Sequence, residues 1–221
     1  MEAIGQQFFN LAIMARALPL VLTGLWTTLL ICAIVIQMGI TGGILVASAS
    51  LSPRAAFRRV VKLLVDLFRA LPPLVLLIMV YSGLPFVGIR LTPLAAVSIA
   101  FFLNNSAYYG EIFRAGIESV PQGQWEAARS TGLSATQTFL WVVLPQGVRN
   151  VLPDLVSNTV EVVKLTSLAS VVSMPEMLYS ADMARSLTFN ASPIVLAAAI
   201  YLAILWPAVR FVSRLEHTVS R

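Results

Sequence analysis

The sequence predicts an all-α integral membrane protein of about five transmembrane helices, amino terminus out and carboxy terminus in, with a two-helix element on the cytoplasmic side. Three observations carry that expectation. Hydrophobic residues make up 58% of the 221 and charged residues 11%, against about 25% charged in a soluble domain, and the mean hydropathy is +0.84. The uncharged run between Arg16 and Arg54 exceeds the roughly 20 apolar residues that a spanning helix needs. The Lys and Arg residues behind the net charge of +5 mostly sit beside such runs, where they orient a chain in a bilayer rather than bind nucleic acid.

Helix one is expected from about Leu18 into the Gly42 to Ser50 region, with Gly42-Gly43 its weak point and Gly24, Thr27 and Thr28 as small or hydrogen-bonding packing surfaces. The basic cluster Arg54, Arg58, Arg59 and Lys62 follows and places this end in the cytoplasm. Helix two is expected over about Val60 to Leu84, bent at Pro72-Pro73, which removes backbone donors. Its Asp66 and Arg69, at i,i+3, either pair with each other or leave Arg69 for a transport pathway. Helix three, about Leu91 to Phe113, turns polar at Asn104-Asn105-Ser106, which marks an inward face, and Asn104 and Asn105 have no obvious partner nearby. Glu111 and Arg114 read as a salt bridge at the helix end.

Between Ser130 and Val148 the chain is uncharged yet rich in Ser, Thr and Gln, too polar for lipid. The spacing predicts two short helices spanning about 119–146. Pro121 suits the first turn of one, Gly132 its left-handed close, and Ser134 with Gln137 a capping box for the next, which Pro145 should stop. Helix four, about Val151 to Val172, holds Glu161 and Lys164 near the middle of a 30 Å core. Ionisable residues there are functional candidates, or else a pair that neutralises itself. Ser167 and Ser170 extend a small polar strip. A slightly acidic outer loop with Glu176, Asp182 and Arg185 follows, with a short amphipathic helix around Pro175 to Ala184. Helix five, about Pro193 to Val212, carries Tyr201 and Trp206 as packing or interface aromatics and ends on Arg210 and Arg214.

Several chemistries find no support. Cys32 is alone, and the one histidine, His217, lies in the tail, so no Cys- or His-based metal site is expected. The first ten residues lack the basic stretch of a cleavable signal, so the first span is expected to stay. Neither Lys62 nor Lys164 sits in a GxxxxGK[ST] loop, and no GxSxG or HExxH occurs. From the residues alone, a membrane-embedded hydrolase using Glu111 or Glu161 with Lys164 and a passive channel or scaffold stay open beside an energised device.

The polar interlude resembles the EAA motif of binding-protein-dependent ABC importer permeases. It reads Glu126-Ala127-Ala128, three residues, Gly132, nine residues, then Val142-Val143-Leu144-Pro145, with Val142 where the family often has Ile. The flanks are similar to the polar amino acid branch: Phe68 to Pro72, Tyr109 to Gly116, Pro121 to Trp125 and Lys164-Leu165-Thr166-Ser167-Leu168, with Leu165 where that branch commonly has Asp. The resemblance implies a type I importer permease fold, a single domain over 1–221 containing the 119–146 element, in a bacterial inner (cytoplasmic) membrane. Its implied partners are a cytoplasmic ABC ATPase dimer that holds ATP and Mg, a second permease subunit of the same or a homologous chain, a periplasmic amino-acid-binding protein and membrane lipid. The chain would itself be no enzyme. Coupling to the ATPase would fall on Glu126, Ala127, Ala128, Gly132, Leu144 and Pro145. The substrate pathway would fall on Arg69, Asn104, Asn105, Glu161, Lys164, Thr166 and Ser167.

Overall fold

The computed structural model describes residues 2–219, with side chains from 4 to 214, so the His217 side chain lies outside what is described. Every regular element among them is helical: α1 (Glu2–Phe8), α2 (Leu11–Ser50), α3 (Ala55–Ala70), α4 (Pro73–Ile78), α5 (Pro93–Glu118), α6 (Gln122–Ser130), α7 (Ala135–Thr138), α8 (Leu144–Asn150), α9 (Leu152–Leu165), α10 (Met177–Thr188) and α11 (Ser192–Val219). By length and hydropathy the helices over Ile4–Ser50, Leu152–Val172 and Ser192–Arg214 could each cross a membrane. The pair Ala55–Ala70 and Pro73–Val87 makes a fourth if counted as one broken span. α5, polar from Asn104 onward, is not among them. The chain divides into two compact units, one of Met1–Ile36, Pro73–Phe101 and Val160–Val209, the other of Gln37–Pro72, Phe102–Thr159 and Arg210–Arg221.

In the first unit α2 begins earlier than Leu18, because Asn10 Oδ1 accepts from Ile13 N at 3.1 Å and starts the helix at Leu11. Ala17 and Val21 pack against Met177, Ala181, Ala184 and Ala197 of α10 and α11. Gly24 lets the backbones approach: a Cβ there would lie 2.5 Å from Ser180 Oγ and 2.7 Å from the Glu176 carbonyl oxygen. One turn on, Thr28 Oγ1 donates to the Gly24 carbonyl and accepts from Met177 N at 3.0 Å. Both residues therefore serve packing.

α9 passes at Thr166 into a 3₁₀ turn over Thr166–Val172, which ends at Ser173 with φ 57°. The short amphipathic helix of the connector is present as α10. Glu176, expected in an exposed acidic loop, is instead 0% exposed. Its two carboxylate oxygens cap α10 by accepting from Leu178 N at 2.8 Å and Tyr179 N at 2.6 Å, and Tyr201 Oη donates to it at 3.4 Å. An anion at a helix N-terminus satisfies amides that would otherwise be orphaned. Asp182 and Arg185 do stay at the surface, as an ion pair.

In the second unit the helix expected to bend at Pro72-Pro73 is broken. α3 stops at Ala70, Leu71 turns extended (φ −73°, ψ 126°) and Pro73 opens α4. Pro72 denies a donor to the last turn of α3, so carbonyls there need other partners. α5 supplies two: Asn104 Nδ2 donates to the Phe68 carbonyl at 3.0 Å, and Tyr108 Oη donates to the Arg69 carbonyl at 3.3 Å. The Arg69–Asp66 pair does not form. The Arg69 guanidinium lies over the Tyr108 ring, 5.3 Å from its centroid.

Gly42-Gly43, expected as a weak point, is continuous helix. These glycines are where α2 and α5 nearly touch, since a Cβ on Gly43 would stand 2.4 Å from Tyr109 Cβ and 2.9 Å from Gly110 N. Replacing Asn104 by Leu strands the Phe68 carbonyl and is expected to cost about 1–3 kcal/mol. It should read as a lower melting temperature of the purified protein, with a smaller drop for Tyr108→Phe.

Candidate coupling element and pathway residues

The interlude folds as two short helical arms about a glycine, within the second unit. α6 starts at Pro121, which takes the N-cap position just outside the first turn. It closes at Gly132, whose φ of 90° and bond from its N to the Arg129 carbonyl (3.1 Å) need a residue without a Cβ. Arg129 also donates to the Leu133 carbonyl at 2.8 Å. The capping box forms as the spacing required: Gln137 N donates to Ser134 Oγ and Ser134 N donates to Gln137 Oε1.

Pro145 does not stop the second arm. After α7 the chain widens into one π-helical stretch, Phe139–Val143, then continues as α8 with Pro145 in its first turn. Proline is tolerated there because its missing N–H falls where no α-helical partner is required, and the wide turn precedes it. Trp125 and Phe139 brace the arms with ring centroids 6.4 Å apart. Gln146 Nε2 donates to Gln124 Oε1 at 3.3 Å and to the Val142 carbonyl at 2.9 Å.

The element is bound to α5 through a backbone contact that the sequence reading missed. A Cβ on Gly147 would lie 2.8 Å from the Gly116 carbonyl oxygen, and one on Gly116 would lie 2.6 Å from the Gly147 carbonyl oxygen. Asn150 Nδ2 adds a bond to Ser119 Oγ at 2.8 Å. Just before this seam, Arg114 pairs with both Glu111 and Glu118. The outer face carries Glu126, Ala127, Gly132 and Pro145 exposed, with Trp141 at 63% exposure, while Ala128 is buried and Leu144 half-buried. Leu140, beside Trp141, is exposed as well.

The pathway candidates fall into both units. In the second, Asn104 and Asn105 are buried at 3% exposure, Asn104 on the Phe68 carbonyl and Asn105 also engaged, while Arg69 is exposed. In the first, Lys164 Nζ donates to Glu161 Oε1, and both side chains remain exposed on α9. Thr166 is buried, donating to the Val163 carbonyl with Cys32 Sγ 3.9 Å away, and Ser167 Oγ donates to the Lys164 carbonyl. The ion pair is thus a surface on which an ammonium and a carboxylate are both offered partners.

The family model described as the binding-protein-dependent transport system inner membrane component matches residues 39–221. The chain is 37% identical over 212 residues to the probable amino-acid ABC transporter permease protein YckA of Bacillus subtilis, covering 96% of this chain and 94% of that one. It is 34% identical to the probable glutamine ABC transporter permease protein GlnP of the same organism, over 87% of this chain and 90% of that one. The crystal structure of an amino acid ABC transporter with histidines superposes with a TM-score of 0.85 at 30% identity, covering 93% of this chain and 96% of that one. A methionine ABC transporter in an inward-facing conformation shares the fold, with a TM-score of 0.74 at 19% identity, over 91% and 97% of the two chains. Coverage this complete, over the coupling element and the flanking helices alike, places the chain in the family of binding-protein-dependent transport inner membrane components, as a permease subunit of an ATP-driven importer and not a catalytic enzyme.

Proposed function

We propose that this permease carries a polar amino acid inward across a bacterial inner (cytoplasmic) membrane, and that the 119–146 element within the single 1–221 domain receives the work. Five spans place the amino terminus outside and the carboxy terminus inside, α5 supplying the span that hydropathy alone passes over. The basic residues after α2 and at the end of α11 support that orientation. A cytoplasmic ATPase dimer, holding ATP and Mg, docks on Glu126, Ala127, Ala128, Gly132, Leu144 and Pro145. A second permease subunit completes the pathway, and a periplasmic binding protein delivers the cargo. The observation that carries the reading is the Gly116–Gly147 seam. Two backbones in contact have no compliant side chain between them, so a push on the arms moves α5 directly.

Gly132→Pro removes the N–H bonded to Arg129 and forbids the positive φ. The expected outcome is ATPase activity no longer matched by uptake in reconstituted vesicles, with membrane insertion intact; normal coupled uptake in this variant would overturn the lever.

The cargo meets the exposed Glu161–Lys164 pair, its ammonium toward Glu161 and its carboxylate toward Lys164, beside Ser167; the exposed Arg69 is a separate pathway candidate, and the buried Thr166, Asn104 and Asn105 each hold their own helix in shape. Charge-assisted hydrogen bonds contribute about 1.5–3 kcal/mol each. Glu161→Gln and Lys164→Met are therefore each expected to weaken apparent affinity or transport rate by roughly 10- to 150-fold. Unchanged uptake kinetics in both variants would assign the pair a structural role only.

A further inference from the structure

Two cavities in the second unit adjoin along α2, α3 and α5, and Val65 lines both. The first, of about 340 Å³, is walled by apolar side chains such as Leu45, Val46, Leu64, Phe68 and Phe102. The second, of about 260 Å³, is lined by Arg58, Lys62, Asp66, Glu111, Arg114 and Glu118. On α2 and α5 they follow one another along the chain, and on α3 they interleave between Val61 and Asp66, with Arg58 at the charged end and Phe68 at the apolar end. On α2 the apolar wall ends at Ala49 and the polar one takes Ser50; on α5 the apolar wall spans 102–107 and the charged one 111–118. The charged cavity thus lies toward the basic end of α3 and the apolar one deeper.

The six charges balance, three of each sign. Arg114 is committed to Glu111 and Glu118, whereas Lys62 and Asp66 have no ion-pair partner among the described residues. One further polar group is unaccounted for: Ser106 Oγ, in a residue 6% exposed, lines the apolar cavity with no hydrogen-bond partner. It lies five residues, about 7.5 Å along the helix, from Glu111.

We propose that these cavities together hold one phospholipid whose headgroup carries a phosphate and a primary ammonium, the chemistry of phosphatidylethanolamine. The phosphate meets Arg58 and Lys62, the ammonium meets Asp66, and an acyl chain fills the apolar cavity beside Ser106. An anionic headgroup without an ammonium leaves Asp66 unmatched. A choline headgroup has no N–H to offer it. A free amino acid carries no chain to fill the apolar cavity. The inference rests on the proposed reading that the basic end of α3 meets the membrane face.

The test uses the full complex with its ATPase in nanodiscs of phosphatidylglycerol mixed with either phosphatidylethanolamine or phosphatidylcholine at equal anionic content. The complex is then transferred to detergent, and retained lipid per permease chain is counted by native mass spectrometry. One phosphatidylethanolamine per chain is expected, with phosphatidylcholine washed away. Lys62→Ala, at an exposed site, should lower retention about fivefold, and Val65→Trp, which fills the junction, should abolish it. Equal retention of both lipids, retention unchanged in Lys62→Ala, no retained lipid because a second permease chain closes the cavity, or displacement by free amino acid would each overturn the proposal. Uptake measured on the same preparations separates that failure from failure of the transport reading.

Discussion

The second unit depends on how the carbonyls at the end of α3 find donors. Inside hydrocarbon an unpaired carbonyl costs several kcal/mol, so a helix can break at Leu71-Pro72 only if another element brings N–H or O–H groups to the gap. α5 does this with Asn104 and Tyr108. That requirement fixes the rotation of α5, which then turns Ser106 and Tyr109 toward the glycines of α2 and, further along, sets Gly116 against Gly147. The polar half of α5, which lowers its hydropathy, is therefore the price of a broken neighbour.

Much of the architecture was legible because it follows from local chemistry. The apolar runs, the Ser134–Gln137 capping box, the positive φ of Gly132 and the Glu111–Arg114 pair all depend on residues within a few positions of each other. What the sequence hid depends on partners far along the chain. Asn104 lacked an evident partner because its acceptor is Phe68, 36 residues back. Arg69 had a plausible local mate in Asp66, yet an aromatic ring from α5 offered a face that competes with a solvated carboxylate. Glu176 looked like part of an acidic loop, and because glutamate is not among the preferred N-cap residues it gave no helix-cap signal in the sequence. Gly147 carried no such signal, since a lone glycine in a polar stretch has many uses.

The features described above are divided between the two units. The second holds the coupling arms, the glycine seam and the broken helix; the first holds the Glu161–Lys164 pair on α9 and the buried Glu176 cap. α2, α5, α9 and α11 each run through both.

The π-helical stretch at Phe139–Val143 gives the second arm a property that its composition does not reveal. One extra residue in a helical turn advances the angular phase of everything after it by about 100°. Leu140 and Trp141 lie exposed within that stretch, and Gly147 lies buried against α5 after it. The arm is thus a phase converter, presenting one azimuth to its surroundings and another to α5. Its length, counted in single residues, is consequently as constrained as the identity of any side chain it carries, and a one-residue deletion there is a more severe lesion than most substitutions.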